Sequence, residues 1–353
     1  MNTKYDYLIV GQGIAGTVLA HTLMKNGKTV VIADRHNPNS SSRMAGGIVN
    51  PITGRKMVKT WLADQLFEKL HSFYSDLNES LGQAFFHKMN LFFPFENQEK
   101  QTDWLSASAE EKYETYIKGF HPNGLYDTVN GKFGGMEVTQ SGYLEIGPLL
   151  DAFAKYMESK GAFIKEKVKA EELEVTDTSV KWKGIEANKL VFCEGAENVE
   201  NPLFGDLDFR NVKGELLLVR FKNARFKHII NRNGFILPID DDGTCKIGAT
   251  YDYKDMSTDA TEKGRIQLVE KLDALINDEY EILDQWAGIR PATYDRRPFL
   301  GTHEEFPNLA IFNGLGTKGV SLAPFFAQHL FEHLEEGKVL MPEVDHRRKK
   351  KKK

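Results

Sequence analysis

An α/β fold in two domains is what this sequence predicts. One domain is built on parallel strands and assembled from three separated pieces, and a β-rich α+β domain is inserted between them. Three observations predict it. The N-terminus reads strand, glycine turn, helix, strand. The α/β pattern fades after about residue 80, returns at Gly142 and returns again after Trp286. The chain has 353 residues, and beyond ~250–300 residues a single core usually stops growing.

The elements follow in order. Residues 5–10 are an apolar run bounded by a turn, the pattern of a buried strand. Gly11 to Gly16 form the turn, and Ile14 to Asn26 are expected as a helix that stops near Gly27, where glycine takes the left-handed cap. Thr29 to Ala33 read as a second buried strand. The loop Arg35 to Gly54 is rich in Ser, Gly, Asn and Pro. From Lys56 to Leu77, apolar Trp61, Leu62, Leu66, Leu70 and Phe73 recur at helical spacing. The stretch 83–140 is aromatic, with the run Leu91-Phe92-Phe93-Pro94-Phe95 and a polar helix over 97–113. After it come a helix from Gly147 to Ser159, a strand at Ala162 to Ile164, two short strands within 166–184, and a strand from Lys189 to Cys193. Residues 206–283 read as β-rich, with strands at Gly214–Val219, Gly234–Pro238 and Cys245–Ala249 and a helix from Thr261 to Ile276. The division expected is therefore 1–80, 141–205 and 284–345 for the parallel-strand domain, and 81–140 and 206–283 for the inserted one.

Composition narrows the function classes. A hydrophobic fraction of 41% and a charged fraction of 27% are those of a globular chain. No apolar run approaches the ~20 residues of a membrane span, and the N-terminus has no signal-peptide core. Two cysteines, Cys193 and Cys245, make neither a disulfide framework nor a metal cluster. A soluble, cytoplasmic protein is expected. The net charge of −4 hides an asymmetry, because the last seven residues, Arg347 to Lys353, are all basic. Without them 39 basic residues face 50 acidic ones, a balance of −11. So acidic a body is not expected to carry a broad nucleic-acid-binding face. The tail, taken as 346–353, is expected to be disordered.

Val10-Gly11-Gln12-Gly13-Ile14-Ala15-Gly16 is a G-x-G-x-x-G between a strand and a helix, the start of a Rossmann-type unit. The first glycine makes the turn, the second admits a pyrophosphate to the backbone, and the third lets helix and strand pack closely. The helix start offers free N–H groups and partial positive charge to phosphates. Asp34, 18 residues after Gly16, ends the next strand, where a carboxylate accepts hydrogen bonds from ribose hydroxyls and repels a 2′-phosphate.

Four further segments resemble the FAD-dependent D-amino acid oxidase, glycine oxidase and sarcosine oxidase family, with an order and spacing most like glycine oxidase. They are Ser40-Ser41-Ser42-Arg43-Met44-Ala45-Gly46-Gly47-Ile48; Leu190-Val191-Phe192-Cys193-Glu194-Gly195-Ala196; and Val212-Lys213-Gly214-Glu215-Leu216 with Phe235-Ile236-Leu237-Pro238 and Gly248-Ala249-Thr250 downstream. The fourth is Trp286-Ala287-Gly288-Ile289-Arg290-Pro291 with Asn313-Gly314-Leu315-Gly316-Thr317-Lys318-Gly319. The resemblance spans nearly the whole chain and is weakest at 83–140. It implies noncovalent FAD, since neither cysteine lies in the C-terminal loop where some members attach it.

The resemblance also implies roles. Cofactor contacts fall to Gly11, Gly13, Ile14, Ala15 and Gly16; to Asp34 and Arg35; to Ser42, Arg43, Ala45, Gly46 and Gly47; to Val168, Glu194, Gly195 and Ala196; to Gly288 and Arg290; and to Gly314, Leu315, Gly316, Thr317, Lys318 and Gly319. Arg290 takes the carboxylate in the family's amino-acid members, and Lys318 matches a lysine that sarcosine oxidases place beside flavin and carboxylate. Phe235, Tyr251 and Arg55 would line the substrate pocket. Phe235 stands where a tyrosine hydroxyl usually helps hold the carboxylate, Leu315 replaces a frequent histidine, and Arg43 and Met44 are bulkier than usual. Near the expected pocket, Arg55, Lys56, Arg296 and Arg297 point to a more anionic substrate. Family members move a hydride from a carbon next to nitrogen to the flavin, the imine hydrolyses, and oxygen or another acceptor reoxidises the cofactor. A small amine or amino acid is the expected partner. Two rival readings are a flavoenzyme acting on a tRNA wobble modification and a flavin-binding sensor without turnover.

Overall fold

A computed structural model of the chain describes residues 3–53 and 57–348. Its first sheet runs parallel through Phe163–Ile164, Val30–Ala33, Thr3–Val10, Ile185–Phe192 and Leu309–Asn313. Antiparallel strands Val180–Trp182 and Glu174–Val175 extend it on one side, and Phe299–Thr302 pairs with Leu309–Asn313. The central strand is buried on both faces, as a parallel sheet requires. Tyr7 and Ile9 face a core shared with the helices Ile14–Lys25, Ala63–Leu81, Ile146–Ser159 and Gly319–Glu336, while Leu8 and Val10 face a second cluster with Trp182, Phe192 and Ile311. Val10, Ala33 and Phe192 lie level in the register, so the loops after these strands open at one edge, where open α/β sheets bind ligands.

The second sheet has the order Tyr280–Arg290, Val212–Phe221, Thr244–Gly248, Phe235–Pro238, Ile229–Asn231, Leu91–Pro94, Gly135–Val138, Ile117–His121. It is antiparallel except where Ile229–Asn231 runs parallel to Leu91–Pro94. The expected boundary at 283/284 falls inside a strand: Tyr280–Arg290 pairs along its length with Val212–Phe221, so it belongs wholly to this sheet and carries the chain from one sheet to the other.

Two local expectations are corrected. The helical spacing from Lys56 belongs to a helix that begins only at Ala63. Ahead of it Ile52–Thr53 and Val58–Lys59 pair as a hairpin, closed by Thr60 donating its N–H to the Pro51 carbonyl (2.8 Å) and its hydroxyl to the Asn50 carbonyl (3.0 Å). The start of the basic tail is packed. His346 is buried. Arg348 donates to both oxygens of Asp295 (2.9 and 3.0 Å) and lies 4.1 Å from the centroid of Phe299. Composition reads as disorder only where no partner exists, and here the fold supplies one. Lys349–Lys353, like Arg55 and Lys56, lie outside the described residues. No helix among the described residues is long and apolar enough to cross a membrane.

Candidate functional site

A cavity of about 1580 Å³ lies between the two sheets, at the open edge of the first. At one end is the glycine turn. Gly11 has φ +98, and a Cβ there would stand 2.5 Å from the Cys193 carbonyl oxygen. At Gly16 a Cβ would stand 1.9 Å from the Gly11 carbonyl oxygen, so no side chain fits either position. Asp34 accepts from the backbone N–H of Gln12 (2.6 Å) and of His36, which shapes the turn and leaves the carboxylate at the cavity wall. Ser42 accepts from the N–H of Ile14 (3.0 Å) and ties the Ser40–Gly47 loop to the helix start.

Two helices begin in this cavity. Ile14–Lys25 and Gly319–Glu336 each lack a side-chain cap and an acidic residue in the first turn. A Cβ on Gly319 would lie 3.0 Å from Ile14 Cγ2, so the two starts adjoin. Adjacent positive helix ends without a protein counter-charge suit an anionic, elongated ligand. A dinucleotide fits this cradle. Glu194, held by Asn201 (2.7 Å), is pushed up to about 7 by burial. Burial also raises both thiols, Cys193 well above the usual range and Cys245 up to about 12. Neither is a nucleophile at neutral pH.

At the other end stands Arg290. Its guanidinium lies against Gly214, where a Cβ would be 2.0 Å from Nη2. It donates to the carbonyls of Thr250 (3.2 Å) and Lys213 (3.5 Å) and stacks 4.7 Å from the Tyr251 centroid. No carboxylate pairs with it among the described residues, and burial pushes its pKa down. The loop carrying Thr250 and Tyr251 is stapled to strand Val212–Phe221. Lys213 and Asp252 exchange backbone hydrogen bonds (2.9 and 3.0 Å), and the fully buried Lys213 ammonium pairs with Asp255 (2.5 Å). Phe235 is wedged between two glycines, its Cζ 2.7 Å from a Cβ position on Gly46 and 2.5 Å from one on Gly248. Lys318 donates to Thr60 Oγ1 (2.8 Å) and Thr53 Oγ1 (3.3 Å). Burial, with Arg297 and Arg296 nearby, holds its ammonium down to about 8.

Most residues singled out from sequence line this one cavity, from Gly11 and Asp34 through Ser42–Gly47, Val168 and Glu194–Ala196 to Phe235, Tyr251, Gly288, Arg290 and Leu315–Gly319. Gly16 and Gly314 stand behind the lining. Arg43 lines it but is committed to Asp151 (2.7 Å). Arg55 lies outside the described residues. Sequence reasoning gave no role to Gly214, Lys213, Thr250, Thr53 or Thr60, nor to Phe93, Phe95 and Trp104 on the wall. The aromatic run at 91–95 was a visible signal, but nothing in it says which cavity it borders. No group of three or more potential metal ligands occurs among the described residues.

Residues 6–333 match the family described as FAD dependent oxidoreductase (DAO). The chain is 26% identical to the tRNA 5-methylaminomethyl-2-thiouridine biosynthesis bifunctional protein MnmC of Leptospira interrogans, over 92% of this chain and 56% of that protein. It is 24% identical to a glycine oxidase of Bacillus licheniformis, over 92% of this chain and 91% of that one. The chain thus spans about half the length of the bifunctional relatives it matches. In fold it resembles glycine oxidase from Bacillus cereus, with a TM-score of 0.77 at 20% identity over 95% of this chain and 96% of that one. It also resembles an iminodiacetate oxidase from Chelativorans sp., with a TM-score of 0.79 at 18% identity over the same shares.

Proposed function

This chain belongs to the FAD dependent oxidoreductase (DAO) family, and on that premise we propose that it oxidises the C–N bond of a small amine or amino acid carrying an anionic group. FAD is the cofactor, and bound there it supplies a hydride acceptor for a substrate carbon. The observation that carries the substrate reading is Arg290, a buried guanidinium in the FAD cavity with no carboxylate partner among the described residues. An uncompensated buried charge is costly, and a substrate carboxylate meets its fork with two parallel hydrogen bonds.

The remaining residues divide the work. The starts of helices Ile14–Lys25 and Gly319–Glu336 would hold negative charge on the cofactor, and Asp34 would accept from its ribose. Gripping the carboxylate fixes the neighbouring carbon in place, which converts binding into orientation. Phe235 gives that carbon an apolar wall, which excludes water and offers no hydroxyl to the carboxylate. No side chain need remove a proton if the amine binds neutral. Oxygen or another acceptor would take the electrons away.

The test is anaerobic mixing of the purified FAD-loaded protein with amino acids, N-methyl amino acids and uncharged amines of matching shape. Carboxylate-bearing amines should bleach the oxidised flavin, and uncharged ones should do so much more slowly. If no amine reduces a flavin that dithionite reduces, the reading is wrong. A second reading makes the amine part of a tRNA wobble base. The identity to the tRNA-modifying relative favours it, as do the exposed Tyr251 and Tyr253 beside Arg290. Saturable tRNA binding that competes with flavin reduction by small amines would select it.

A further inference from the structure

Arg290 is not the only cation on the cavity wall that forms no ion pair among the described residues. Lys318 rests on the hydroxyls of Thr53 and Thr60. Beside it, outside the residues that line the cavity, Arg297 lies over the Trp61 ring, its Cζ 4.0 Å from the centroid, and its guanidinium makes a long hydrogen bond to the Arg296 carbonyl (3.5 Å). Thr60 and Trp61 are consecutive, so one short segment seats both cations side by side. Their neighbour Arg296 is exposed and held at φ +62. The acid at hand is already committed. Asp295 bonds Arg348 through both oxygens and accepts from the Arg297 N–H (3.0 Å) and the Thr293 hydroxyl (3.2 Å). Among the described residues no carboxylate forms an ion pair with Lys318, Arg296 or Arg297, although Asp295 and Glu343 lie near enough to Arg297 to act on its charge.

Like charges gathered over hydroxyls and an aromatic face repel one another, and burial strengthens the repulsion. The cost is recovered when an anion enters among them. The Lys318 ammonium and the Thr53 hydroxyl form a donor set for a carboxylate, with the Arg297 charge close by, while the Thr60 hydroxyl is committed to the Asn50 carbonyl and only seats the ammonium. This seat is distinct from that of Arg290, whose guanidinium is held from the other side by the Lys213 and Thr250 carbonyls over Gly214. The two seats are nonetheless joined. Pro291 follows Arg290 and its carbonyl accepts from the Gly316 N–H (3.0 Å), two residues before Lys318. Arg290 and Lys318 line the same cavity.

We propose that the substrate is an amine bearing two carboxylates, one gripped by Arg290 and the other by Lys318, whose positive charge the adjoining Arg297 reinforces. The proposal rests on the amine-oxidation reading and narrows it to amino or imino dicarboxylates. Oxidation itself is unchanged: the carbon next to nitrogen loses a hydride to the flavin and nitrogen's lone pair completes the imine.

The experiment uses the FAD-loaded enzyme and has two arms. In the first, kcat/KM is measured for N-methylglycine against N-(carboxymethyl)glycine and for 2-aminobutanoate against glutamate. In the second, unreactive acetate and succinate are titrated against the flavin absorbance band, which reports binding without turnover. The dicarboxylate of each pair should be favoured at least tenfold. Arg297→Gln and Lys318→Met should each collapse that ratio towards one, with FAD content confirming a folded protein. A wild-type ratio near one, or a ratio that survives both substitutions, overturns the second seat. If no amine reduces the flavin, amine oxidation fails. In that case the titration arm still decides the seat: succinate preferred and sensitive to Arg297→Gln supports it, and equal binding removes it.

Discussion

Replacing Gly214 by alanine tests the Arg290 grip without altering a polar group. Gly214 lies in the extended strand Val212–Phe221, opposite Gly288, so its backbone admits alanine. What cannot stay is the guanidinium, because the new Cβ would stand 2.0 Å from Nη2 and 2.2 Å from Cζ and Nη1. Ordinary contact is ~3.5 Å, so the end of a flexible side chain must withdraw by roughly 1.5 Å. That breaks the 3.2 Å bond to the Thr250 carbonyl and the stacking on Tyr251, and carries the fork away from the carboxylate. Hydrogen bonds to charged groups contribute about 1.5–3 kcal/mol, so kcat/KM for a carboxylate amine should fall roughly 10- to 100-fold. Arg290→Lys, which keeps the charge and loses the fork, should fall in the same range. FAD content and Tm should stay near wild type, because the guanidinium yields rather than the strand. Steady-state kinetics, flavin absorbance and thermal unfolding measure the three quantities. An alanine variant with normal Tm and FAD that keeps kcat/KM within twofold would refute the assignment of Arg290's observed position to substrate binding.

Further expectations follow from the same geometry. Lys318 titrates at about 8, so affinity for an unreactive carboxylate should weaken as pH rises through 8, and Lys318→Met should abolish that step; a step that persists points to another group. Glu137 is buried, which by itself would raise its carboxyl pKa, but hydrogen bonds from Asn90, Lys118, His121 and His228 hold it at about 2 instead of 4.5. The stabilisation is present above pH 4.5 and is lost as pH falls from 4.5 towards 2; Glu137→Gln should lower stability by roughly 1.5–3 kcal/mol at neutral pH and flatten Tm across that window. Deleting Lys349–Lys353 should leave Tm and FAD content unchanged, whereas Arg348→Ala should lower Tm through the lost Asp295 pair; equal Tm in both would remove the structural role of Arg348. Gly11→Ala should cost the FAD, since the φ of +98 and the Cys193 carbonyl both oppose a Cβ; an alanine variant that purifies yellow refutes it.

What the sequence made legible was local. The N-terminal βαβ unit needs only residues that are consecutive, and its strands and helix stand where the pattern put them. The segment 57–62 was misread because Trp61 and Leu62 fit a helical stripe, while Leu62 adopts φ +54 and strands Ile52–Thr53 and Val58–Lys59 before it take the backbone hydrogen bonds. The second sheet was visible only as a tendency. Its strand Leu91–Pro94 pairs with Ile229–Asn231, a partnership across more than a hundred residues that no periodicity encodes. The Arg290 environment is hidden for the same reason. Arg290 could be singled out as one residue, but its support from Gly214, Lys213 and Thr250 exists only once two strands and a loop meet. The tail shows the converse limit, because a run of like charge says nothing about an acid such as Asp295 waiting in another segment.

Glycine has one physical role in both halves of the cavity, and it serves different chemistry in each. In the first sheet, Gly11 and Gly16 remove side chains so that backbone N–H groups and two helix starts face the ligand. Backbone groups and helix ends are much the same whatever residues surround them, so that half suits a ligand common to a whole family. In the second sheet, Gly214 makes room for a guanidinium and Gly248 makes room for a phenyl ring. There the vacated space is filled by side chains, and the identity of each decides what can bind. Strand Tyr280–Arg290 joins the halves, since it ends in the guanidinium and passes through Pro291 to the loop that opens helix Gly319–Glu336. A change in the second half should therefore alter substrate choice while FAD stays bound, and a change in the first should remove both. Gly214→Ala and Gly11→Ala separate these two behaviours with the same added methyl group.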